Sequence, residues 1–301
     1  MLAANNRVCH ALYEVHKPRQ TRLQLKPTLS DSLNFATYRQ AMSKSNSVNL
    51  IFMGIVLFLS VGCGTSQNAP NSNNVAAVTD NKLQVEHFGA MREVMREGKT
   101  KARIRLVDAV ATPHAFAVGA LEGLAGEVTI VDGNVWVSRV TADGELRVTG
   151  PEPNENDSAT LLTLGHVSKW HRTTIETAIA GVELESLIEQ FANSKGIDTK
   201  KPFPFRIEGT LSKMDLHVIN GYCPIATDPA MQDRKPWRRS NIEPTTVTIV
   251  GFYAPNAVAV MTHHGTSIHA HAIARADGKQ IMGHVDNVTV EPGMTLFVPE
   301  L

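Results

Sequence analysis

Three histidines towards the C-terminal end of the sequence form the residue pattern best suited to chemistry. His269 and His271 are separated by one residue, and His284 follows after a segment that contains Asp277-Gly278. On a β-strand, side chains two residues apart point to the same face. Asp-Gly is a strong signal for a tight hairpin turn, so we expect His284 on the neighbouring strand, beside the pair. The spacing therefore predicts a site at which three imidazoles converge.

Imidazoles that converge from a rigid sheet are typical of a catalytic zinc site. Such a site uses three protein ligands and keeps a fourth position open, whereas a structural zinc site closes with four ligands, often cysteines. No cysteine lies near these histidines in the sequence. Manganese, nickel or iron could fill the same ligands, so the cation is zinc or another divalent metal. The alternative is chance, because the chain has 12 histidines and His263-His264 is another close pair.

Strand patterns surround these histidines. Asp132-Gly133 lies between two β-branched runs and predicts a hairpin, and residues 141–144 predict the next turn. Residues 222–243 are rich in Pro, Asp and Arg, and we expect a long surface loop there. The predicted strands are residues 128–131, 134–138, a pair around Gly209 within 203–219, and 245–253.

Two helices are expected to cover these strands. An apolar stripe over residues 85–95 has helical spacing and ends at Gly98, and a second stripe over residues 182–194 ends at Gly196. Both stripes should face the core. The predicted class is α+β, with mostly antiparallel or mixed β-sheets and a few covering helices.

The N-terminal part predicts export rather than a folded element. Residues 50–59 are an uninterrupted apolar run, suited to a signal peptide, and Ser60-Val-Gly-Cys63 resembles a lipobox whose cysteine is lipidated. We expect residues 1–62 to be a leader, 63–80 a flexible tether, and 81–301 the folded domain. Residues 1–41 precede Met42, an ordinary start for such a leader, so they are a mis-assigned start or a long n-region.

Charge and cysteine content limit the partners. The chain has 29 Lys/Arg and 29 Asp/Glu, and residues 1–62 hold seven of the bases and two of the acids, so the remainder has a net charge of −5. This balance argues against nucleic acid, which favours a basic face. With Cys9 removed and Cys63 lipidated, Cys223 has no partner for a disulfide. We expect the protein to contact a membrane only through a lipid anchor at Cys63. Its expected location is the cell envelope, either lipid-anchored or periplasmic, and the cytoplasm if the leader is not a signal peptide.

Three ordered segments resemble the alpha-acetolactate decarboxylase family over about residues 85–290. Residues 119–127 with 130–133 resemble its G-T-F-x-x-L-D-G-E…D-G block. Residues 205–209 resemble its I-R-I-D-G block. Residues 248–255 and 265–285, which include the histidine pattern, resemble its T-I-V-G-F…P…G…H-x-H…G-H-V block.

The resemblance implies a metal-dependent lyase that converts 2-acetolactate, or a similar 2-hydroxy-3-keto acid, to acetoin and carbon dioxide. It implies zinc on His269, His271 and His284, and Glu127 in the position of the family's glutamate. Loss of carbon dioxide leaves an enediolate, which a Lewis acid stabilises and a neighbouring carboxyl group can protonate. The alternative for Glu127 is a solvated carboxylate at a strand edge. Arg206 is expected to bind the substrate carboxylate or to form a structural ion pair.

The sequence departs from the family pattern at several positions. Ala120 stands where the family has threonine, and His217 stands where it has a functional arginine. His217 is expected to contact the substrate carboxylate in its place or to be an ordinary surface histidine. The family has a further catalytic glutamate beyond the third histidine; Glu291 and Glu300 follow His284 here, and neither matches that motif.

These departures keep two alternatives open. The first is a catalytically inactive homologue that retains the metal or binds a small hydroxy acid. The second is a binding module similar to the plant-and-prokaryote conserved domain, which also carries a motif of the H-x-H…D-G…G-G-H type. That domain would cover only about the last half of the chain, so the block around Glu127 argues against it. The oligomeric state is open, with a homodimer as one expectation.

Overall fold

Two antiparallel sheets hold most of the residues that the structure describes, which are 83–221, 234–244 and 246–301 of a computed structural model. The described residues belong to one compact unit. Few helices accompany the sheets, so the α+β class with a strong β content is confirmed. The predicted leader (1–62), the tether (63–80) and Cys223 lie outside the described residues.

The first sheet is built around a wholly buried central strand, residues 115–121. Its strands are β1 Val85–Phe88, β2 Ile104–Arg105, β3 Ala115–Leu121, β4 Glu127–Val131, β5 Asn134–Val140, β6 Leu146–Thr149 and β7 Ser158–His166. Their order in the sheet is β1-β7-β3-β4-β5-β6, with β2 also paired to β7.

The second sheet carries all three histidines of the predicted site. Its strands are β8 Trp170–Thr174, β9 Ile179–Ala180, β10 Phe203–Gly209, β11 Met214–Val218, β12 Trp237–Ile242, β13 Thr246–Tyr253, β14 Ile268–Ala276, β15 Lys279–Val290 and β16 Thr295–Pro299. Their order in the sheet is β12-β11-β15-β14-β13-β10-β16-β8, with β9 paired to β15.

Asp-Gly turns connect the hairpins, as predicted. Asp132 and Gly133 have φ of 50° and 80°, and Asp277 and Gly278 have φ of 51° and 72°. Positive φ at both central residues is the hallmark of the tight turn that matches strand twist, and aspartate and glycine tolerate it. The second turn brings His284 directly opposite His271 in the β14–β15 ladder.

The helices are α1 Met91–Arg96, α2 Leu106–Ala109 and α3 Gly181–Ser194. The prediction of α3 and its stop at Gly196 is confirmed: Leu184, Ile188 and Ala192 are buried, and Gly196 has φ of 81°. Among the described helices, none has the length and apolarity needed to span a bilayer.

Three predictions of local structure are wrong. The helix expected over residues 85–95 is a strand followed by the short α1, because residues 85–88 pair with β7 and Gly89 has φ of 77°. The strands around Gly209 exist but do not pair with each other; β10 pairs with β13 and β16, and β11 with β12 and β15. Part of the expected loop at 222–243 is β12, which pairs with β11.

The two sheets face each other through an apolar patch and a polar patch. Phe116 and Val118 of β3 pack with Val250 and Phe252 of β13 in one buried cluster. The adjacent strand, β4, instead presents polar side chains to β14 and β15, and Thr129 contacts both His271 and Met282. The predicted site lies at this polar patch.

Candidate metal and substrate site

Strand register places three histidines side by side. His271 of β14 pairs with His284 of β15, and His284 pairs with His217 of β11. We call the continuous line of paired residues the register row; it extends to Arg238 of β12 on one side and to Arg206 of β10, through Val250, on the other. Directly paired residues share a face, so the row presents these side chains towards the first sheet.

The three predicted histidines are brought together. The ring centroids of His269 and His271 are 5.1 Å apart, those of His269 and His284 are 5.2 Å apart, and those of His271 and His284 are 5.7 Å apart. The side-chain period of a strand accounts for the first pair, and the Asp-Gly hairpin accounts for the third ring.

Each of these rings has a nitrogen without a hydrogen-bond partner. Nδ1 of His269, Nε2 of His271 and Nδ1 of His284 are buried and have none within the described residues. The other nitrogen of His271, Nδ1, lies 3.1 Å from the hydroxyl oxygen of Thr129, which orients the ring. A buried unpaired nitrogen is costly, so this arrangement fits a cation as the missing partner.

Burial also holds these imidazoles in the form that binds metals. It lowers the pKa of His269 and His271 well below the usual value of 6.5, with a further contribution from neighbouring histidines, and it lowers the pKa of His284 to about 4. The rings are therefore neutral at neutral pH, and a neutral imidazole nitrogen can accept a cation.

Glu127 lies opposite this cluster on the first sheet. Its Oε2 atom is 3.8 Å from Nε2 of His271, and its Oε1 atom accepts a hydrogen bond of 3.3 Å from the backbone N–H of Ile219. Its side chain is only 5% exposed, and β4 is paired on both edges, so the alternative of a solvated carboxylate at a strand edge is wrong. Burial raises the pKa of Glu127 to about 7, so near neutral pH its carboxyl group can both give and take a proton.

His217 and Asp286 join the cluster from the other side. Nδ1 of His217 donates to Oδ1 of Asp286 over 2.6 Å, and Nδ1 of His284 lies 3.5 Å from the same oxygen. Burial alone would raise the pKa of Asp286, but the hydrogen bond with His217, with His284 close by, holds it well below its usual range. His217, buried and held by this carboxylate, is not an ordinary surface histidine.

The side chains that bring potential metal-ligand atoms closest together are not the predicted three histidines. Within the described part of the chain, the side chains that each bring one potential ligand atom within 4.8 Å of the others are His217, His284 and Asp286. This group shares His284 with the predicted set and omits His269 and His271. The ring positions thus describe a wider cluster than the sequence pattern indicates, with imidazoles on three adjacent strands.

Sequence reasoning missed two members of the cluster. His263 lies in the connection before β14, and its ring centroid is 5.0 Å from that of His284. Asp286 follows His284 at the strand period of two, a signal that could have predicted a shared face. His263 had no comparable signal, because its position depends on the path of a loop.

The structure does not bring Arg206 to the cluster. Val250 separates it from His271 along the register row, which places it two strands away, on the order of 10 Å. Its guanidinium carbon lies 4.3 Å from the ring centroid of Phe297 and 5.2 Å from that of Trp170, and Nε lies 3.3 Å from Oε1 of Glu208. This environment matches the structural alternative for Arg206.

A cavity of about 420 Å³ opens beside the cluster. Arg238 lines it and is the only Lys or Arg among the described lining residues. The acidic and imidazole side chains that line the cavity are Glu127, Glu185, His217, His263, His269, His284 and Asp286. Its apolar side chains include Met91, Met95, Phe205, Ile207, Ile219 and Ile249. An apolar pocket with a few convergent polar groups is the usual form of a small-molecule site.

The family match decides the classification. The alpha-acetolactate decarboxylase family matches residues 91–297. The chain belongs to this family. The match runs from α1 into β16 and therefore includes Glu127 and the whole histidine cluster, and it confirms the resemblance seen in the sequence.

Solved structures of acetolactate decarboxylases share this fold. The enzyme of Bacillus subtilis subspecies spizizenii is 19% identical with a TM-score of 0.53, over 72% of this chain and 87% of that one. That of Bacillus subtilis strain 168 is 18% identical with a TM-score of 0.52, over 72% and 86%. A Staphylococcus aureus protein of unknown function, similar to alpha-acetolactate decarboxylase, is 17% identical with a TM-score of 0.50, over 71% and 84%. No curated protein matches the chain significantly in sequence.

Proposed function

We propose that this family member is a metal-dependent decarboxylase that converts 2-acetolactate, or a similar 2-hydroxy-3-keto acid, to acetoin and carbon dioxide. The observation that carries the proposal is the cluster of buried imidazoles with unpaired nitrogens, which meets a carboxyl group of raised pKa beside a cavity. Family membership supports a lyase of the decarboxylase kind.

The cation would be held by His269, His271 and His284. Their free ring nitrogens and neutral state fit a divalent metal, and zinc is the proposed ion, although other divalent metals accept the same ligands. When bound, the cation would act as a Lewis acid for the negative charge that develops on the substrate oxygens as carbon dioxide leaves.

Glu127 is proposed to deliver the proton that completes the reaction. When the carbon–carbon bond to the carboxylate breaks, carbon dioxide departs and its electron pair stays on the substrate as an enediolate. The proton on Glu127 then forms the new C–H bond, and Glu127 is reprotonated from solvent. The N–H of Ile219 fixes one carboxyl oxygen and leaves the other facing His271.

Arg238 is proposed to bind the substrate carboxylate. We expected Arg206 or His217 in this role, but Arg206 does not line the cavity, and Nδ1 of His217 is already taken by Asp286. Arg238 is exposed, lines the cavity and pairs directly with His217 in the β11–β12 ladder. Arginine suits this task because its fork of N–H groups matches a carboxylate.

Product analysis tests the proposal. Purified protein loaded with zinc or manganese is given racemic 2-acetolactate, and acetoin and carbon dioxide are measured. We expect equal amounts of both products, and we expect a chelator to abolish them and re-added metal to restore them. A protein that binds the metal in full yet releases no carbon dioxide would contradict the proposal.

A binding protein without turnover is the second candidate. Two departures from the family pattern, Ala120 and His217, both line the cavity, so they fall where a substrate would sit. This candidate predicts that calorimetry detects metal-dependent binding of a small hydroxy acid while no acetoin forms.

We further propose attachment to the cell envelope through a lipid on Cys63. Cells grown with labelled palmitate should label the protein, and Cys63→Ser should release it from the membrane fraction. An unlabelled wild type that fractionates with the cytosol would contradict this proposal.

A further inference from the structure

We propose that His217 is a fourth imidazole ligand of the cation site and that Asp286 is the carboxylate that positions it. This inference rests on the proposed function, because it presupposes a cation at His269, His271 and His284. It assigns His217 to the metal rather than to the substrate.

The position of His217 supports a ligand role. It pairs directly with His284 across the β11–β15 ladder, and their ring centroids are 4.7 Å apart, closer than any two rings of the predicted triad. His217 is buried and lines the same cavity as His269 and His284. One potential ligand atom from each of His217, His284 and Asp286 lies within 4.8 Å of the other two.

The hydrogen bond to Asp286 determines which nitrogen of His217 is available. Nδ1 donates to Oδ1 over 2.6 Å, which leaves Nε2 as the nitrogen that can accept a cation. Histidine ligands of metals nearly always donate their other N–H to a carboxylate, a carbonyl or water, which fixes the tautomer and strengthens the ligand. His217 and Asp286 show this arrangement.

A local irregularity in β15 places Asp286 between the two histidines. The β11–β15 register pairs Leu216 with Val285 and Asp215 with Asn287, so Asp286 is an extra residue on its strand. Such bulges re-aim a side chain and occur often beside active sites. The Oδ1 atom of Asp286 is within 3.5 Å of Nδ1 of His284 as well, so one carboxylate faces two imidazoles.

A buried histidine–aspartate pair with a purely structural role would also explain the short contact. The test must therefore measure a property of the bound metal, which a purely structural pair would leave unchanged. Cobalt(II) serves this purpose because its visible absorption bands respond to the number and type of its ligands, and its affinity can be measured without any turnover.

The experiment titrates cobalt(II) into metal-free protein of the full chain and compares wild type with His217→Asn and Asp286→Asn. Removing a ligand or its orienting partner should weaken cobalt binding by about 10–100-fold, and His217→Asn should also shift the absorption bands. His264→Ala is the matched control, since His264 is an exposed histidine that does not line the cavity. Melting of the metal-free variants checks folding, and Asp286→Asn provides the answer if His217→Asn does not fold, because Asp286 is 37% exposed.

The outcomes separate this inference from the proposed function. If His217→Asn and Asp286→Asn keep the affinity and spectrum of wild type while His271→Ala loses the cation, the role of His217 is refuted and the cation site stands. If wild-type protein takes up no cobalt, the proposed metal dependence fails and this inference fails with it. His217→Arg adds a further distinction: it should weaken cobalt binding if His217 is a ligand and preserve it if His217 contacts only the substrate.

Discussion

The two ends of the register row differ in character although they lie on the same face of one sheet. At one end Arg206 packs against Phe297 and Trp170, and at the other His217 and His284 face a cavity. Phe297 and Trp170 belong to the same sheet as Arg206, and the opposing sheet adds to the difference. Its strand β3 brings apolar side chains, including Phe116, to the first end, whereas β4 brings Glu127 and Thr129 to the second. Reactivity thus depends on which strand lies opposite, and we call these two regions the aromatic end and the histidine end.

The largest expected effect at the histidine end is loss of the cation in His271→Ala. His271 is fully buried, and its Nε2 atom has no hydrogen-bond partner among the described residues and lies 3.8 Å from Oε2 of Glu127. Elemental analysis should find about one divalent ion per wild-type chain and only a small residual amount of metal in the variant. A His264→Ala control should keep its metal. Stoichiometric metal in His271→Ala would move the site away from this ring.

Glu127→Gln should have the next largest effect. The substitution keeps the shape of the side chain and its contact with Ile219 but removes the titrating group. Turnover should fall by about 10²–10⁴-fold while the metal content holds. Glu86→Gln, an exposed glutamate on β1, should leave both unchanged. Undiminished turnover in Glu127→Gln would exclude this residue from proton transfer.

Replacing the two arginines of the row should separate the two ends. Arg238→Ala removes the proposed carboxylate contact, so KM should rise by about tenfold to a hundredfold with little change in stability. Arg206→Ala removes the contacts with Phe297 and Trp170, so the free energy of unfolding should fall by about 1–3 kcal/mol while KM holds. Arg239→Ala, next to Arg238, serves as the control. A rise in KM for Arg206→Ala alone would reverse the assignment of the two ends.

The smallest effect concerns the pH dependence of the metal-free protein. Burial lowers the pKa values of His269, His271 and His284 below 6.5. As the pH falls below about 6.5, these histidines therefore bind protons in the unfolded chain but stay neutral in the folded one. Stability should therefore be lost with falling pH. Glu127 acts in the opposite sense, because its pKa is about 7 in the folded chain and ordinarily 4.5. Between these two pH values its carboxyl group is protonated in the folded chain and ionised in the unfolded one.

Three histidines outweigh one carboxyl group between about pH 4.5 and 6.5, so the free energy of unfolding should rise with pH by about 1–3 kcal/mol per unit. Urea unfolding of metal-free protein across this range measures the slope. His271→Ala should reduce it, and Glu127→Gln should increase it. A flat or falling profile in wild type would show that these rings are not held neutral by the fold.

Local signals in the sequence predicted those parts of the fold that local chemistry determines. Asp277-Gly278 accounts for the β14–β15 hairpin, and with the strand period it accounts for the convergence of His269, His271 and His284. The helix α3 followed from an apolar stripe with a glycine stop. The fold class followed from the strand and helix patterns, and the family followed from the ordered motifs.

The missed features depend on contacts between distant segments. Residues 85–88 form a strand because β7 is available to pair with them, and their apolar pattern did not distinguish this from a helix. The proximity of His217 to His284 requires the β11–β15 ladder, and Arg238 reaches the cavity only because β12 adds to β11. Arg206 lies in the same register row as the site, but no signal in the sequence shows that it is two strands away from His271.

The most direct test of the histidine end as the metal centre is an anomalous difference map from crystals grown with zinc and measured at the zinc edge. A metal centre at the histidine end should give one strong peak about 2.0–2.1 Å from ring nitrogens of His269, His271 and His284, on the side of Glu127. A map without a peak at these rings, or with its main peak bound elsewhere on the chain, would contradict it.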